Sequence, residues 1–484
     1  MNKVKEIDNP VERAQQWVRR FIWLYFWLLL AEGALRKWVL PSYSNPLLLI
    51  RDPVALAIYM YAIPGRVFPR NGWMFALCAI AFLSLAITFA QLWLYFPPFM
   101  IASVAGYGFH ANFFHLPLIF IMAKVLRPED VKRFGWWILA LMVPMAVLMV
   151  AQFRAAPDAF LNRTAGGEGE MMLSALGKVR TAGPFSFVVG VVAYFSMATG
   201  YLVWAVLRRT IYKNWLLAGA GSALGIGIAV SGSRSVVGAC VVVVASLVIV
   251  LFLRPDAVNR FGQTLVVVAI LALIVSQTPI FKEGLNVLTT RFNEVAEATD
   301  QSVAVGLVER FFGSFEDGLF VLTKAPFLGY GLGIGTNAGA KFLTGRSGFL
   351  LTEGEWSRTF LEMGPVLGLA YVVWRVALVV WVGLLCIRSV RLGNVLPLLL
   401  FSSSFLPMIS GQFGQPTILG FSVFVTGLAL AARNEEELIV SASSASSHPR
   451  AVAPVKAIPT RSIHAVGLRR SNSESSQTNG SADR

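Results

Sequence analysis

Along this chain, apolar stretches recur at the length a helix needs to cross a bilayer's hydrocarbon core, about 20 residues. They lie near 21–39, 46–63, 74–95, 100–124, 135–153, 184–206, 214–231, 236–253, 262–281, 365–387, 395–411 and 416–432. About twelve such runs are more than one water-soluble core can use. The pattern predicts an all-α fold, a polytopic transmembrane helix bundle over residues 21–432.

The polar interruptions alternate in charge. Arg66 and Arg70; Lys124, Arg127, Lys132 and Arg133; Arg208, Arg209 and Lys213; Arg254 and Arg260; and Arg388 and Arg391 fall in every second connection. The segment 1–20 adds Arg13, Arg19 and Arg20. Basic loops stay cytoplasmic, and an even number of spans then puts both termini there. Segment 1–20 lacks a signal peptide's short apolar core and small-residue cleavage site, so the first span is expected to stay as an anchor. The other connections face outward, and two are long, 154–183 and 282–364. In the second, Leu285–Ala298 and Val303–Thr323 carry apolar residues at helical spacing. The stripe Val305, Val308, Phe311, Phe312, Phe315, Leu319 and Leu322 suits an amphipathic helix on the membrane surface or packed over the bundle. Residues 433–484, rich in Ser, Ala, Pro, Arg and Asn, cannot bury a core and are expected to form a disordered cytoplasmic tail.

Composition agrees with a membrane protein: 56% hydrophobic and 14% charged residues. The net charge of +15 would hint at nucleic acid in a soluble protein. Here much of it flanks membrane helices, so topology and anionic lipid headgroups account for it and no nucleic-acid partner is expected. Cys78, Cys240 and Cys386 each fall inside a span, far apart, and read as buried apolar thiols rather than a disulfide or metal site.

Chemistry must then sit in the few polar places left. Ser231-Gly232-Ser233-Arg234-Ser235 joins two strongly apolar spans on the outward side. Arginine offers a planar fork to phosphate oxygens, and the glycine lets backbone N–H groups converge beside it; the alternative is a snorkelling arginine that caps a short turn. Lys178-Val179-Arg180-Thr181 sets basic groups just before the sixth span. The large loop carries Arg291, Arg310, Lys324, Lys341, Arg346 and Arg358 against the positive-inside trend. An anionic substrate or internal pairing with Glu294, Glu297, Glu309, Glu316 and Asp317 would explain them. Pro326–Gly335 is glycine-rich without the strand context of a dinucleotide fingerprint, so it reads as a hairpin that permits close backbone approach. Glu355 and Arg358, three apart, share a helix face, and a carboxylate there suits a general base as well as a helix N-terminus. His110 and His115 lie five apart, which in an α-helix separates them, so they read as buried, hydrogen-bonded histidines. Glu32, Arg36, Lys37, Arg51 and Asp52 are intramembrane charges that pair or line a pathway.

A Ser-x-Ser-Arg turn between two spans comes first, at Ser231–Arg234. One further span, then a large outward loop with Pro-x-x-Gly-x-Gly-x-Gly, follow it. An acidic segment with Leu-Glu-Met-Gly-Pro-Val-Leu-Gly-Leu closes the pattern. In this order the motifs resemble the O-antigen ligase and polymerase family, best over residues 180–385. The resemblance implies a multi-pass glycosyltransferase of the bacterial inner (cytoplasmic) membrane. It would take a glycan from an undecaprenyl-diphosphate-linked oligosaccharide on the periplasmic face and pass it to a glycan acceptor. The family uses no cofactor, nucleotide sugar or metal, works among membrane lipids, and acts beside other polysaccharide-assembly membrane proteins. It implies diphosphate binding by Arg234 with Ser233, by Arg180, and by Arg310 or Arg291. Many relatives carry a His-Asn pair before the acidic segment; here positions 353–358 read Glu-Gly-Glu-Trp-Ser-Arg, so Glu355 or Glu353 is expected to activate the acceptor. This departure favours an O-antigen or exopolysaccharide polymerase over a ligase onto lipid A core. A lipid-linked glycan transporter or flippase, and a non-catalytic scaffold, are the alternatives.

Overall fold

The structure, a computed structural model, describes residues 9–166, 173–208, 210–253, 273, 275–299, 313, 315–346 and 348–434, without the side chains at 291, 292 and 294–299. Arg209, Arg254, Arg260, Arg310, most of the expected span 262–281 and of the amphipathic stripe, and residues 435–484 of the expected tail lie outside these. Helix takes up 77% of the described residues and no strand is among them, so the backbone satisfies its polar groups within helices, as a lipid environment demands.

Fourteen α-helices follow one another among the described residues. They are α1 Pro10–Ala34, α2 Asp52–Ala62, α3 Gly72–Leu92, α4 Pro98–Phe109, α5 Pro117–Val125, α6 Pro128–Arg154 and α7 Val188–Leu207. After these come α8 Asn214–Val230, α9 Arg234–Leu253, α10 Pro279–Thr299, α11 Asn337–Thr344, α12 Glu355–Leu392, α13 Leu396–Ser410 and α14 Pro416–Ala431. Among the described residues, six helical stretches are long and apolar enough to cross a membrane: α3, α4 through α5, α6, α7, α9 and α12. Their outer faces leave large apolar side chains uncovered, among them Phe75 and Phe82 on α3, Val147 on α6, Phe252 on α9 and Leu384 on α12, more than a water-facing surface tolerates.

Several boundaries differ from the sequence reading, the second span being α-helical only over Asp52–Ala62 and the fifth and tenth starting earlier, at Pro128 and Glu355. The first helix starts at Pro10, not near 21, because the Asn9 side chain caps it by accepting from Val11 N–H at 3.0 Å, and proline suits the first helical position. The fourth expected span is two helices joined by a π-helical turn, His110–Phe114. A second π turn, Leu35–Val39, continues α1. Cys78 is also a correction: it faces outward on α3, while Cys240 and Cys386 are buried as expected.

The connections gather at two ends of the bundle. At one end, Asn394 Nδ2 donates to Ala432 O at 2.8 Å, Asn434 Nδ2 to Ala123 O at 2.9 Å, Arg208 Nη2 to Gly393 O at 3.3 Å and the Tyr212 hydroxyl to Lys132 O at 2.6 Å. The basic residues Lys124, Arg127, Lys132, Arg133, Lys213, Arg388 and Arg391 belong to these segments. The opposite end unites the α1–α2, α6–α7, α8–α9 and α13–α14 connections with the start of α12, and the buried arginine–glutamate pairs of the described residues belong to or border these segments and α12.

Candidate functional site

The site is built around the first turns of α12. Arg358 Nε and Nη2 reach Glu355 Oε2 at 3.2 and 3.0 Å, and its Nη1 reaches Glu362 Oε2 at 2.7 Å. The spacings of three and four residues put all three on one helical face. Arg358 Nη2 also donates to Asn112 Oδ1 at 3.1 Å, which ties α12 to the π turn after α4. Arg375 closes the set by donating Nη1 to Glu355 Oε1 at 2.8 Å and Nε to Met408 O at 2.9 Å, with its guanidinium 3.9 Å from the Phe413 ring centre. All four side chains are buried. Two carboxylates against two guanidiniums neutralise the cluster, the condition under which charges survive burial.

The glycine-rich stretch packs onto this cluster. Pro365 has no N–H to give the Leu361 carbonyl, and Gly364, at φ 76°, breaks the helix. Tyr330 N–H and Gly331 N–H donate instead to the carbonyls of Leu361 and Glu362, at 2.7 and 3.0 Å. Gly335 N–H donates to Glu362 Oε1 at 2.8 Å. The loop reaches this depth because Gly329, Gly331 and Gly333 adopt positive φ. Leu332 N–H to Thr88 Oγ1 at 2.8 Å and Gln91 Nε2 to Gly329 O at 3.1 Å anchor it to α3. The sequence's hairpin reading thus holds for close backbone approach, while the paired partner is a broken helix rather than a strand.

Above the cluster lies a small open cleft, with an interior of about 10 Å³, room for about one water molecule. Thr336, Asn337, Gln412 and Gln415 line it with hydroxyl and amide groups, Phe349 with a ring, and Glu353, Glu355 and Arg358 with charge. Glu353 is exposed, and only its backbone carbonyl is engaged among the described residues, by Gln412 Nε2 at 2.9 Å. Glu355, two residues on, has both oxygens held by arginines.

The basic residues singled out in sequence meet at a second corner of the same end. The Ser174 hydroxyl donates to Gly232 O and the Thr181 hydroxyl to Val230 O, each at 3.1 Å. Segment 174–181 therefore lies across the Ser231–Arg234 turn, with Arg180 beside Gly232. Gly232 has φ 57°, and Ser233 N–H donates to Ser231 Oγ at 3.2 Å. Ser233 is buried, while Arg180 and Arg234 are half-buried. The segment is fixed from below: Gln152 exchanges bonds with Gly183 N–H and carbonyl at 2.8 and 3.0 Å, and Arg36 Nη1 donates to Ser186 Oγ at 3.1 Å. Lys178 pairs with Glu283 of α10 at 2.8 Å. Arg291 falls on α10, its side chain outside the description, and Arg310 lies outside the described residues.

A third cluster holds the other intramembrane charges. Glu32 lies 3.3 Å from Arg36 and 3.2 Å from Arg51, so the expected pairing is present. Asp52 bonds both histidines, Oδ2 to His110 Nδ1 at 2.8 Å and Oδ1 to His115 Nε2 at 3.1 Å. The expectation that the two histidines point apart is corrected. It assumed an α-helix, whereas a π turn closes i to i+5 and stacks residues five apart.

Sequence reasoning passed over Arg375 and Asn112. A lone arginine deep in an apolar span was itself the signal, since intramembrane charge is costly enough to need a partner. Nothing in the sequence marked Asn112.

No protein-family model, curated protein or solved structure matches this chain. The functional reading rests on the chemistry of these clusters and on the motif order.

Proposed function

We propose that this chain is a multi-pass membrane glycosyltransferase that transfers or polymerises glycan from an undecaprenyl-diphosphate carrier. In this reading about twelve spans cross the bacterial inner membrane, the basic end with both termini is cytoplasmic, and the cleft end is periplasmic. The observation that carries it is the chemistry around the cleft mouth: amide, hydroxyl and aromatic groups of the kind that contact a sugar lying over them, above a charged floor, at the same bundle end as the Arg180–Arg234 corner.

In the proposed reaction an acceptor hydroxyl attacks the anomeric carbon, and its proton passes to a carboxylate. Glu353 fits this role better than Glu355, because an incoming hydroxyl finds no unengaged oxygen on Glu355. Glu355 instead holds Arg358 and Arg375 beneath the cleft. The glycosidic bond to the carrier breaks as the new one forms, and undecaprenyl diphosphate leaves with the electron pair. Preplaced guanidiniums of Arg234 and Arg180, with Ser233 beside them, stabilise the charge that develops on the leaving oxygens. Arg291 and Arg310 are further candidates for the same task. A polymerase is favoured over a ligase, on the missing His-Asn pair.

The test is reconstitution of the purified chain in lipid with undecaprenyl-diphosphate-linked repeat units of its host, resolved by gel. A ladder of lengthening glycans supports polymerase activity, and single transfer onto an added lipid A core supports a ligase. Neither product from folded protein overturns both. The buried Glu32–Arg51 and Asp52–histidine clusters favour one other reading, a flippase. Movement of lipid-linked glycan across vesicles without change in chain length would support it.

A further inference from the structure

The Asp52, His110 and His115 cluster takes no part in the transfer chemistry above, yet its construction is costly. A π turn gives up regular helical bonding, and such turns concentrate at functional sites. Here its effect is to bring the two imidazoles together, ring centres 5.0 Å apart, over one carboxylate. One donor atom from each of the three residues lies within 4.8 Å of the other two.

We propose that Asp52, His110 and His115 form a binding site for a divalent transition metal, with zinc the best-fitting ion. Two imidazoles and a carboxylate are a common nitrogen-oxygen donor set for such ions. Ligands at 2.0–2.2 Å from zinc stand about 3.3 Å apart around a tetrahedron; the two histidine–carboxylate pairs, 2.8 Å to Oδ2 and 3.1 Å to Oδ1, are near that spacing, and one donor set from the three residues closes within 4.8 Å. His115 has an orienting partner on its far nitrogen, Nδ1 lying 3.2 Å from the Tyr25 hydroxyl. That hydroxyl in turn accepts from Arg51 Nη1 at 3.2 Å. This is how metal-binding histidines are held. His110 buries its Nε2 without a hydrogen-bond partner among the described residues, so the whole side chain is committed through Nδ1 towards Asp52. The neighbouring cation does not forbid a metal, because Glu32 stands 3.2 Å from Arg51 and offsets it. Asp52 keeps 22% of its side chain exposed against 6% and 1% for the histidines, which leaves one open side for entry and a fourth ligand. Bound there, the ion would lock the start of α2 to the break between α4 and α5.

The site stands independently of the glycan-transfer reading, and metal uptake is measured without any glycan. Full-length protein without a polyhistidine tag is stripped with chelator in lipid nanodiscs, titrated with zinc chloride, desalted and assayed by mass spectrometry for metal. We expect about one zinc per chain, with affinity falling at least about tenfold in Asp52→Asn and in His110→Gln. The His448→Ala/His464→Ala double variant, which removes the chain's other histidines, keeps full uptake. Cobalt loading of the unaltered protein supplies a second readout that needs no variant, a visible absorption spectrum of histidine ligation. Substoichiometric zinc, zinc uptake unchanged in folded Asp52→Asn, or cobalt without histidine ligation would each overturn the proposal.

Discussion

Arg375 Nη1 donates to Glu355 Oε1 at 2.8 Å although 20 residues separate them in what is otherwise one helix. Twenty residues of straight α-helix span about 30 Å, far beyond the reach of both side chains. The contact exists because Gly364, with φ 76° and ψ 172°, turns the chain back on itself. The short helix Glu355–Met363 thereby re-enters beside the longer one that follows Pro365, and it brings its acidic face to Arg375.

Gly364→Ala tests the turn. That backbone conformation is open almost only to glycine, and a Cβ would also meet the Phe327 carbonyl. The expected cost is about 2 kcal/mol or more, read as a lower thermal unfolding midpoint in detergent. Unchanged stability would mean that the turn is not a constraint.

The Glu355–Arg375 pair is expected to be worth most when one member is missing. Arg375→Gln leaves two buried carboxylates to the single guanidinium of Arg358 and should destabilise by about 3–5 kcal/mol. Pairing it with Glu355→Gln should recover part of the loss. Strictly additive losses across the double-mutant cycle would argue that the two side chains do not act as a unit.

Glu353 and Glu355 should separate by what they damage. Glu353→Gln is expected to lower transfer about 10²–10⁴-fold while leaving unfolding unchanged, since its carboxylate is exposed. Glu355→Gln should lower stability first. Full activity in Glu353→Gln would remove it as the acceptor base.

Arg234→Ala and Arg180→Ala should each lower kcat about 10²–10³-fold, the scale of losing one preplaced charge donor. Lysine at either position should restore the charge but only part of the rate, because it lacks the two-pronged fork. A rise in KM for the lipid-linked donor with kcat intact would assign these arginines to ground-state binding.

The all-helical character and the six membrane-length apolar helices of the described residues were legible in the hydropathy pattern, because helix length and apolar content are local properties. Several of the basic connections grouped by alternation do meet at one end of the bundle. The Arg180–Arg234 corner was suggested by residue type, and segment 174–181 does cross the Ser231–Arg234 turn. What escaped were contacts made through irregular backbone. His110 and His115 meet only because the helix takes a π turn, which no 3.6-residue periodicity discloses. Arg375 finds Glu355 only because Gly364 reverses the chain. Asn112 joins Arg358 across 246 positions, a separation on which local pattern is silent.

The glycine-rich loop substitutes its own N–H groups for the helical bonds that Gly364 and Pro365 forfeit. Loop and helix are therefore mechanically one part: lifting Tyr330 and Gly331 away strips α12 of bonds that nothing else in the helix can replace. A substrate that needed the loop to open would have to loosen the Glu355–Arg358–Glu362 floor in the same stroke, so access and site assembly would be governed by a single motion.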